Sequence, residues 1–241
     1  NKVQGVAIAA IASLTGISMT IRKCVSDFAS MDEAMTDVMK YTGQTKEEVQ
    51  AMNEEFKRMD TRTAREKLNA LAGDAGRLGI NTNEAVKQFV DAADKINVAL
   101  GDDLGDDAVK NIGKLAQLFG EDKTKGLNGA MLATGSAVNE LAQSSSASAG
   151  YLVDFTARLA GVGKQAGLTQ QQIMGFASVL DQNMQQDETA ATAMMNLIAK
   201  IFQEPTKFAQ IAGIELQKFT NLLKTDANQA LLDFFAALKS Q

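Results

Sequence analysis

The chain contains no histidine. That removes the commonest general base and the commonest metal ligand, so neither a Ser-His-Asp triad nor a Cys-His pair exists within it. No Ser-x-x-Lys, nucleophile elbow or phosphate-cradling glycine loop takes their place. The single cysteine, Cys24, excludes an intrachain disulfide. One proline, Pro205, and 5% aromatics leave long segments filled by Ala, Leu, Met, Lys, Glu and Gln, all good helix formers. Strand formers never make an alternating run bounded by turns. Net charge is −5, and no Lys/Arg cluster with interleaved aromatics offsets it, which argues against specific nucleic-acid binding. These absences point to an all-α, non-enzymatic chain, and its 241 residues suffice for one large or two modest domains.

What is present begins with a seam. Val3, Ala7, Ala10, Leu14, Ile17, Ile21, Cys24, Phe28, Met31, Met35 and Val38 follow one another in unbroken steps of four and three. That is the 3.5-residue repeat of a coiled coil, sustained over about five heptads. As one helix it spans roughly 50 Å at ~1.5 Å per residue. Leu14, Ile17, Ile21, Cys24, Phe28, Met31, Met35 and Val38 are the candidate self-association seam. Cys24 on that seam reads as a small buried hydrophobe. Before Arg22 the helix is also apolar at Val6, Ile8, Ala9 and Ile11; after Lys23 its opposite face turns polar with Ser26, Asp27, Asp32, Glu33 and Asp37. Val3–Ile21, about 19 uncharged residues, meets the minimum for a membrane span. Gln4, Ser13, Thr15, Ser18, Thr20 and many alanines weigh against it. Both a buried or self-associating helix and a membrane segment stay open. The start at Asn1 reads as a piece of a longer protein.

Downstream the pattern is a series of short helices. Gly43 caps the first, and the box Thr45-x-x-Glu48 opens a second through Met59 with Val49, Met52 and Phe56 inward. A third carries Ala64, Leu68, Leu71, Ala75 and Leu78 and ends at Gly79. Asn81 with Glu84 caps a fourth, faced by Val86, Phe89, Val90, Ala93, Ile96 and Leu100. The run 101–107, with Asp102, Asp103, Asp106 and Asp107, does not match a calcium loop. A carboxylate at the start of the fifth helix, which ends at Gly120, is the plainer account, and no metal or cofactor is assigned. A helix over 125–143 is expected to break at Gly129 and Gly135, and another over 149–166 to weaken at Gly161, Gly163 and Gly167. Thr169 starts the next, Asp187 or Thr189 a Met-rich one through Phe202, and Pro205 suits the first turn of its successor. Two amphipathic helices over 216–238 split near Thr225 and Asp226. Three junctions share one signature, a glycine, an apolar residue and a polar start: Gly79-Ile80-Asn81, Gly167-Leu168-Thr169 and Gly213-Ile214-Glu215. These are sharp helical hairpins. Met31, Met35, Met131, Met174, Met184, Met194 and Met195 sit at helical spacing and suit a core or interface.

One ordered set of segments goes further. Leu71-Ala-Gly-Asp-Ala-Gly-Arg-Leu-Gly-Ile-Asn-Thr-Asn-Glu-Ala85 is followed by Ile96-Asn-Val-Ala-Leu100 and by Gly113-Lys-Leu-Ala-Gln-Leu-Phe-Gly120. Then come Ala160-Gly-Val-Gly-Lys-Gln-Ala-Gly-Leu-Thr169 and Asp187-Glu-Thr-Ala-Ala-Thr-Ala-Met194. Across 64–212 the chain resembles phage tail tape-measure proteins. The resemblance implies a virion structural protein of the tail-tube lumen that sets tail length during assembly and leaves ahead of the DNA. It implies no catalytic residue. Implied partners are copies of itself as a trimer or hexamer, tail tube and tail-tip proteins, tail assembly chaperones, and a host membrane on infection. Three regions follow: 1–42, a coiled-coil-like apolar helix; 43–212, a tape-measure-like helical domain; and 213–241, short amphipathic helices. A ruler works by extended length, so the hairpin-rich region is not the ruler itself. A helical membrane-disrupting toxin or effector is the alternative, with the apolar helix as its pore former. An enzyme fragment is a third reading, and it would have to act without histidine.

Overall fold

Every regular element of the computed structural model is helical among the described residues, which are Lys23 and residues 26–239 apart from 106 and 184. The chain divides into two compact units, one ending at Val90 and one beginning at Asp91.

In the first unit α1 (26–42) stops at Gly43, whose φ of 72° is open to glycine at no cost. The Gly43 N–H closes on the Met39 carbonyl at 3.0 Å. Thr45 then caps α2 (Lys46–Phe56) with a full capping box: the Glu48 N–H donates to Thr45 Oγ1, and the Thr45 N–H to Glu48 Oε2 at 2.8 Å. Val49, Met52 and Phe56 are buried. The helix ends three residues before the expected Met59, because Arg58 and Met59 turn back onto the carbonyls of Glu55 and Phe56.

Next, α3 (Arg65–Arg77) buries Leu68, Ala72 and Ala75 together with Asn69, Gly73 and Gly76, whereas Leu71 and Leu78 are half-buried. Its inward face is rotated from the leucine stripe because the glycines seat α1. A Cβ on Gly76 would stand 2.6 Å from the Tyr41 carbonyl carbon, and one on Gly73 would stand 3.8 Å from Asp37 Cβ. Since Asp37 meets Gly73 and Tyr41 meets Gly76, the two helices run parallel. The first Gly-apolar-polar junction closes α3 as a Schellman turn: Ile80 N–H bonds to Ala75 O at 3.0 Å and Gly79 N–H to Gly76 O at 2.9 Å. The cap of α4 (Asn83–Leu100) is Thr82, one residue later than Asn81, with the Ala85 N–H on its hydroxyl.

In the second unit a 3-10 turn, Gly101–Asp103, leads to α5 (Ala108–Phe119). Asp107 stands at its N-cap, and its carboxylate meets Lys110 rather than the backbone. Helix α6 (Glu121–Ser144) breaks at Gly126, with φ 70° and ψ 160°, and not at Gly129 or Gly135. Gly135 is helical and makes room for a neighbour, since a Cβ there would stand 2.7 Å from Ile96 Cγ1. Helix α7 (Ala149–Gln165) is capped by Ser148 and is central, packing against α5, α6, α8 and α9. Leu152, Val153, Phe155 and Leu159 are fully buried along it. Gly163 does not unwind it; a Cβ there would meet Ile173 Cδ1 at 2.5 Å, so the glycine lets α8 approach.

A second Schellman turn at Gly167 and a second capping box, Thr169 with Gln172, connect α7 to α8 (Gln170–Gln182). Helix α9 (Asp187–Gln203) is followed by α10 (Pro205–Ala212), with Pro205 in its first turn as expected. A third Schellman turn at Gly213 leads to α11 (Leu216–Thr225) and α12 (Ala227–Lys239). Helices α10, α11 and α12 pack on one another, and Phe208 meets Phe234 edge-on at 5.7 Å.

Candidate functional site

Leu14, Ile17, Ile21 and Cys24 of the seam lie outside the described residues, as does the apolar stretch 3–21. The remaining members occupy α1 and differ in what covers them. Val38 is fully buried, Met35 and Met31 are half-buried, and Phe28 is 74% exposed.

The lower seam meets a polar pair carried by α2 and α3. Asn69 Nδ2 donates to Asn53 Oδ1 at 2.8 Å and to the Arg65 carbonyl at 2.9 Å. The methionine sulfurs lie against the same amides: Met31 Sδ is 3.5 Å from Asn69 Nδ2, and Met35 Sδ is 3.8 Å from Asn53 Nδ2. Both asparagines are buried, and Asn69 Oδ1 has no partner. A buried amide is tolerated where it is bonded and disfavours packings that would strip those bonds. Sequence reading passes over this pair, although its signal is there. Asn53 interrupts Val49, Met52 and Phe56, and Asn69 precedes Gly73 and Gly76 at spacings of four and seven.

Beyond Val38, α1 is fastened by Arg77. Its guanidinium lies 4.2 Å from the Tyr41 ring centroid and reaches Asp74 at 2.6 Å and Asp37 at 3.2 Å. On another face, a shallow groove between α1 and α3 is lined by Ser30, Ala34 and Ala70 and edged by Glu33, Asp37, Glu66 and Lys67.

In the second unit two carboxylates sit in contrasting surroundings. Partial burial, then the charges of Asp187 and Asp107, hold the Asp154 pKa above the usual carboxylate value against the opposing Asn111 bond and Arg158. Burial also tends to raise Glu121, but bonds from Lys125, Gln170 and Gln171 outweigh it and leave its pKa lowered. Gln170, fully buried, donates to Glu121 Oε1 at 2.6 Å and to Thr134 Oγ1 at 2.9 Å. Among the described residues no group of three or more acidic or cysteine side chains could hold a metal ion. No described helix is long and apolar enough to cross a membrane.

Over residues 46–241 the chain matches the family described as phage-related minor tail protein. No curated protein and no solved structure matches it significantly.

Proposed function

The chain belongs to the phage-related minor tail protein family, and within that family we propose that it is a tape-measure component. Membership makes its role structural, in the virion, with other tail components as partners. The finer reading places it in the lumen of the tail tube, where it takes part in setting tail length and leaves ahead of the DNA. Tail tube and tail-tip proteins and assembly chaperones are its partners there, and copies of itself associate through the seam as a trimer or hexamer. What carries the reading is the ordered set of glycine-capped segments across 64–212, which lies wholly inside the family match. Short helices folded back on themselves cannot serve as an extended ruler, so the part described is an anchoring or assembly region. A host membrane on infection is a further partner in this reading, with residues 3–21 as the candidate segment for it. The lytic-effector alternative gains no support from the family.

Electron microscopy of the parent phage tests this. Without the gene that encodes this chain, tails should be missing or of unregulated length. An in-frame deletion of residues 46–241 should abolish assembly, not shorten the tail in proportion. Tails of normal length in the gene's absence would overturn the tape-measure reading, and proportional shortening would show that the folded region is itself the ruler.

A further inference from the structure

The turn from α2 into α3 is basic, against the sign of the chain as a whole. Residues 57–67 hold Lys57, Arg58, Arg62, Arg65 and Lys67 against Asp60 and Glu66, in a chain whose net charge is −5. All five cations are exposed. Among the described residues only Lys57 of the five stands in an ion pair, a solvent-exposed one with Glu54 at 3.6 Å. Carboxylates of the same unit are used elsewhere: Arg77 takes Asp74 and Asp37, and Lys87 takes Glu55 and Glu84. Lys67 shares the rim of the α1–α3 groove with Glu33, Asp37 and Glu66, which offset part of its charge. Arg58, Arg62 and Arg65 remain as the unpaired group. Helix electrostatics account for the first of them alone. Arg58 follows the C-terminal end of α2, where the macrodipole favours a cation, but Arg62 and Arg65 stand at the N-terminal end of α3, where it disfavours one. The turn that presents them is ordered, with the Thr61 N–H on the Met59 carbonyl at 3.0 Å and the Thr63 N–H on Thr61 Oγ1 at 3.1 Å. Like charges are thus held together on a short turn, and an anionic partner relieves their repulsion.

We propose that this turn docks on an anionic phospholipid surface, with Arg58, Arg62 and Arg65 on headgroup phosphates. This rests on the membrane contact in the reading above and gives it a place in the first unit, separate from residues 3–21. Guanidinium matches phosphate with paired, planar donors. Clusters of about four to eight Lys/Arg at a membrane surface are held by anionic lipid, and the run 57–67 carries that many. Nucleic acid fits less well. Residues 57–67 contain no Phe, Tyr or Trp on which a base could stack, and a tight connection between two helices does not track a strand. A folded acidic protein would have to match three fixed guanidinium positions, whereas mobile headgroups gather around cations where these already stand.

The test uses the whole chain and sedimentation with lipid vesicles. The chain should bind vesicles containing phosphatidylglycerol more tightly than vesicles of phosphatidylcholine alone, and added salt should weaken the binding. Arg58→Gln, Arg62→Gln and Arg65→Gln should each lower the partition about fivefold, and together about a hundredfold. All three side chains are exposed, so circular dichroism should report the native helix content. A control with Lys114→Gln, Lys218→Gln and Lys224→Gln, exposed cations outside the turn, changes the net charge equally and should bind like the native chain. If the native chain binds neither kind of vesicle, the membrane contact itself fails and this proposal goes with it. Binding that is the same with and without phosphatidylglycerol, or that survives the three arginine changes, would leave the contact standing through another segment and overturn only its assignment to this turn. An equal loss in the control would also overturn it, because overall charge and not the turn would then decide. Duplex DNA binding lost with the arginines while vesicle binding is kept would make the partner a nucleic acid instead.

Discussion

At Gly76 the nearest obstacle to a side chain is backbone. A Cβ would stand 2.6 Å from the Tyr41 carbonyl carbon and 2.8 Å from the Thr42 nitrogen, neither of which can swing aside. Gly76→Ala should therefore push α1 off α3 and destabilise the first unit by about 1–3 kcal/mol. Gly175, mid-helix in α8, meets nothing within 4 Å, and there Gly175→Ala should stabilise by about 0.5–1 kcal/mol. Urea unfolding of the two variants should move the transition in opposite directions. If Gly76→Ala leaves stability unchanged, the close seating of α1 on α3 is wrong. The contrast also shows what single residues conceal. In sequence a helical glycine reads as a weak point, and at Gly135 and Gly163 that reading predicts a broken or weakened helix. Their reason lies on other helices, at Ile96 and Ile173, where no local pattern can show it.

Helix ends are far more legible than helix faces. Thr45 with Glu48 forms the box read from four consecutive residues, and Gly79, Gly167 and Gly213 all take the left-handed turn their signature implies. Capping is decided within a few residues, so the sequence contains nearly all of its physics. Thr169→Ala should cost about 1 kcal/mol by freeing the Gln172 N–H, and Gly167→Ala about 1 kcal/mol by forcing a φ of 84° on a residue with a Cβ. Thermal unfolding of each single variant checks this, and no loss in either would refute the cap assignments. Facing, by contrast, depends on distant partners. Leu71 and Leu78 sit on the apolar stripe of α3, yet the asparagine and glycines turn inward. The candidate seam is legible as a periodicity, but what covers Val38 and not Phe28 is not, because burial is a property of the assembled neighbours.

For the molecule as a whole, pH should pull in two directions. Asp154 has a folded pKa above its unfolded one, so its contribution is present in acid and is lost as pH rises through the folded value. Glu121 has the reverse, a lowered folded pKa, so its contribution holds above the ordinary carboxylate range and is lost as pH falls through the folded value. Asp154→Asn should raise the melting temperature at pH 7 and make little difference at about pH 3, while retaining an acceptor for Asn111. Glu121→Gln should lower it at pH 7, with the deficit shrinking in acid. Parallel melts across that range decide the matter, and a pH-independent offset for both variants would refute it.

The parallel course of α1 and α3 also has a mechanical meaning. Tension applied along α1 from its N-terminal end would slide it lengthwise over α3 instead of lifting it away at one end. The glycine seat at Gly73 and Gly76, the Arg77 clasp and the contact of Met31 with Asn69 would then bear the load together, in shear. Contacts loaded side by side yield at a higher force than contacts opened one after another. The first unit is thus built to hold fast against a pull along α1.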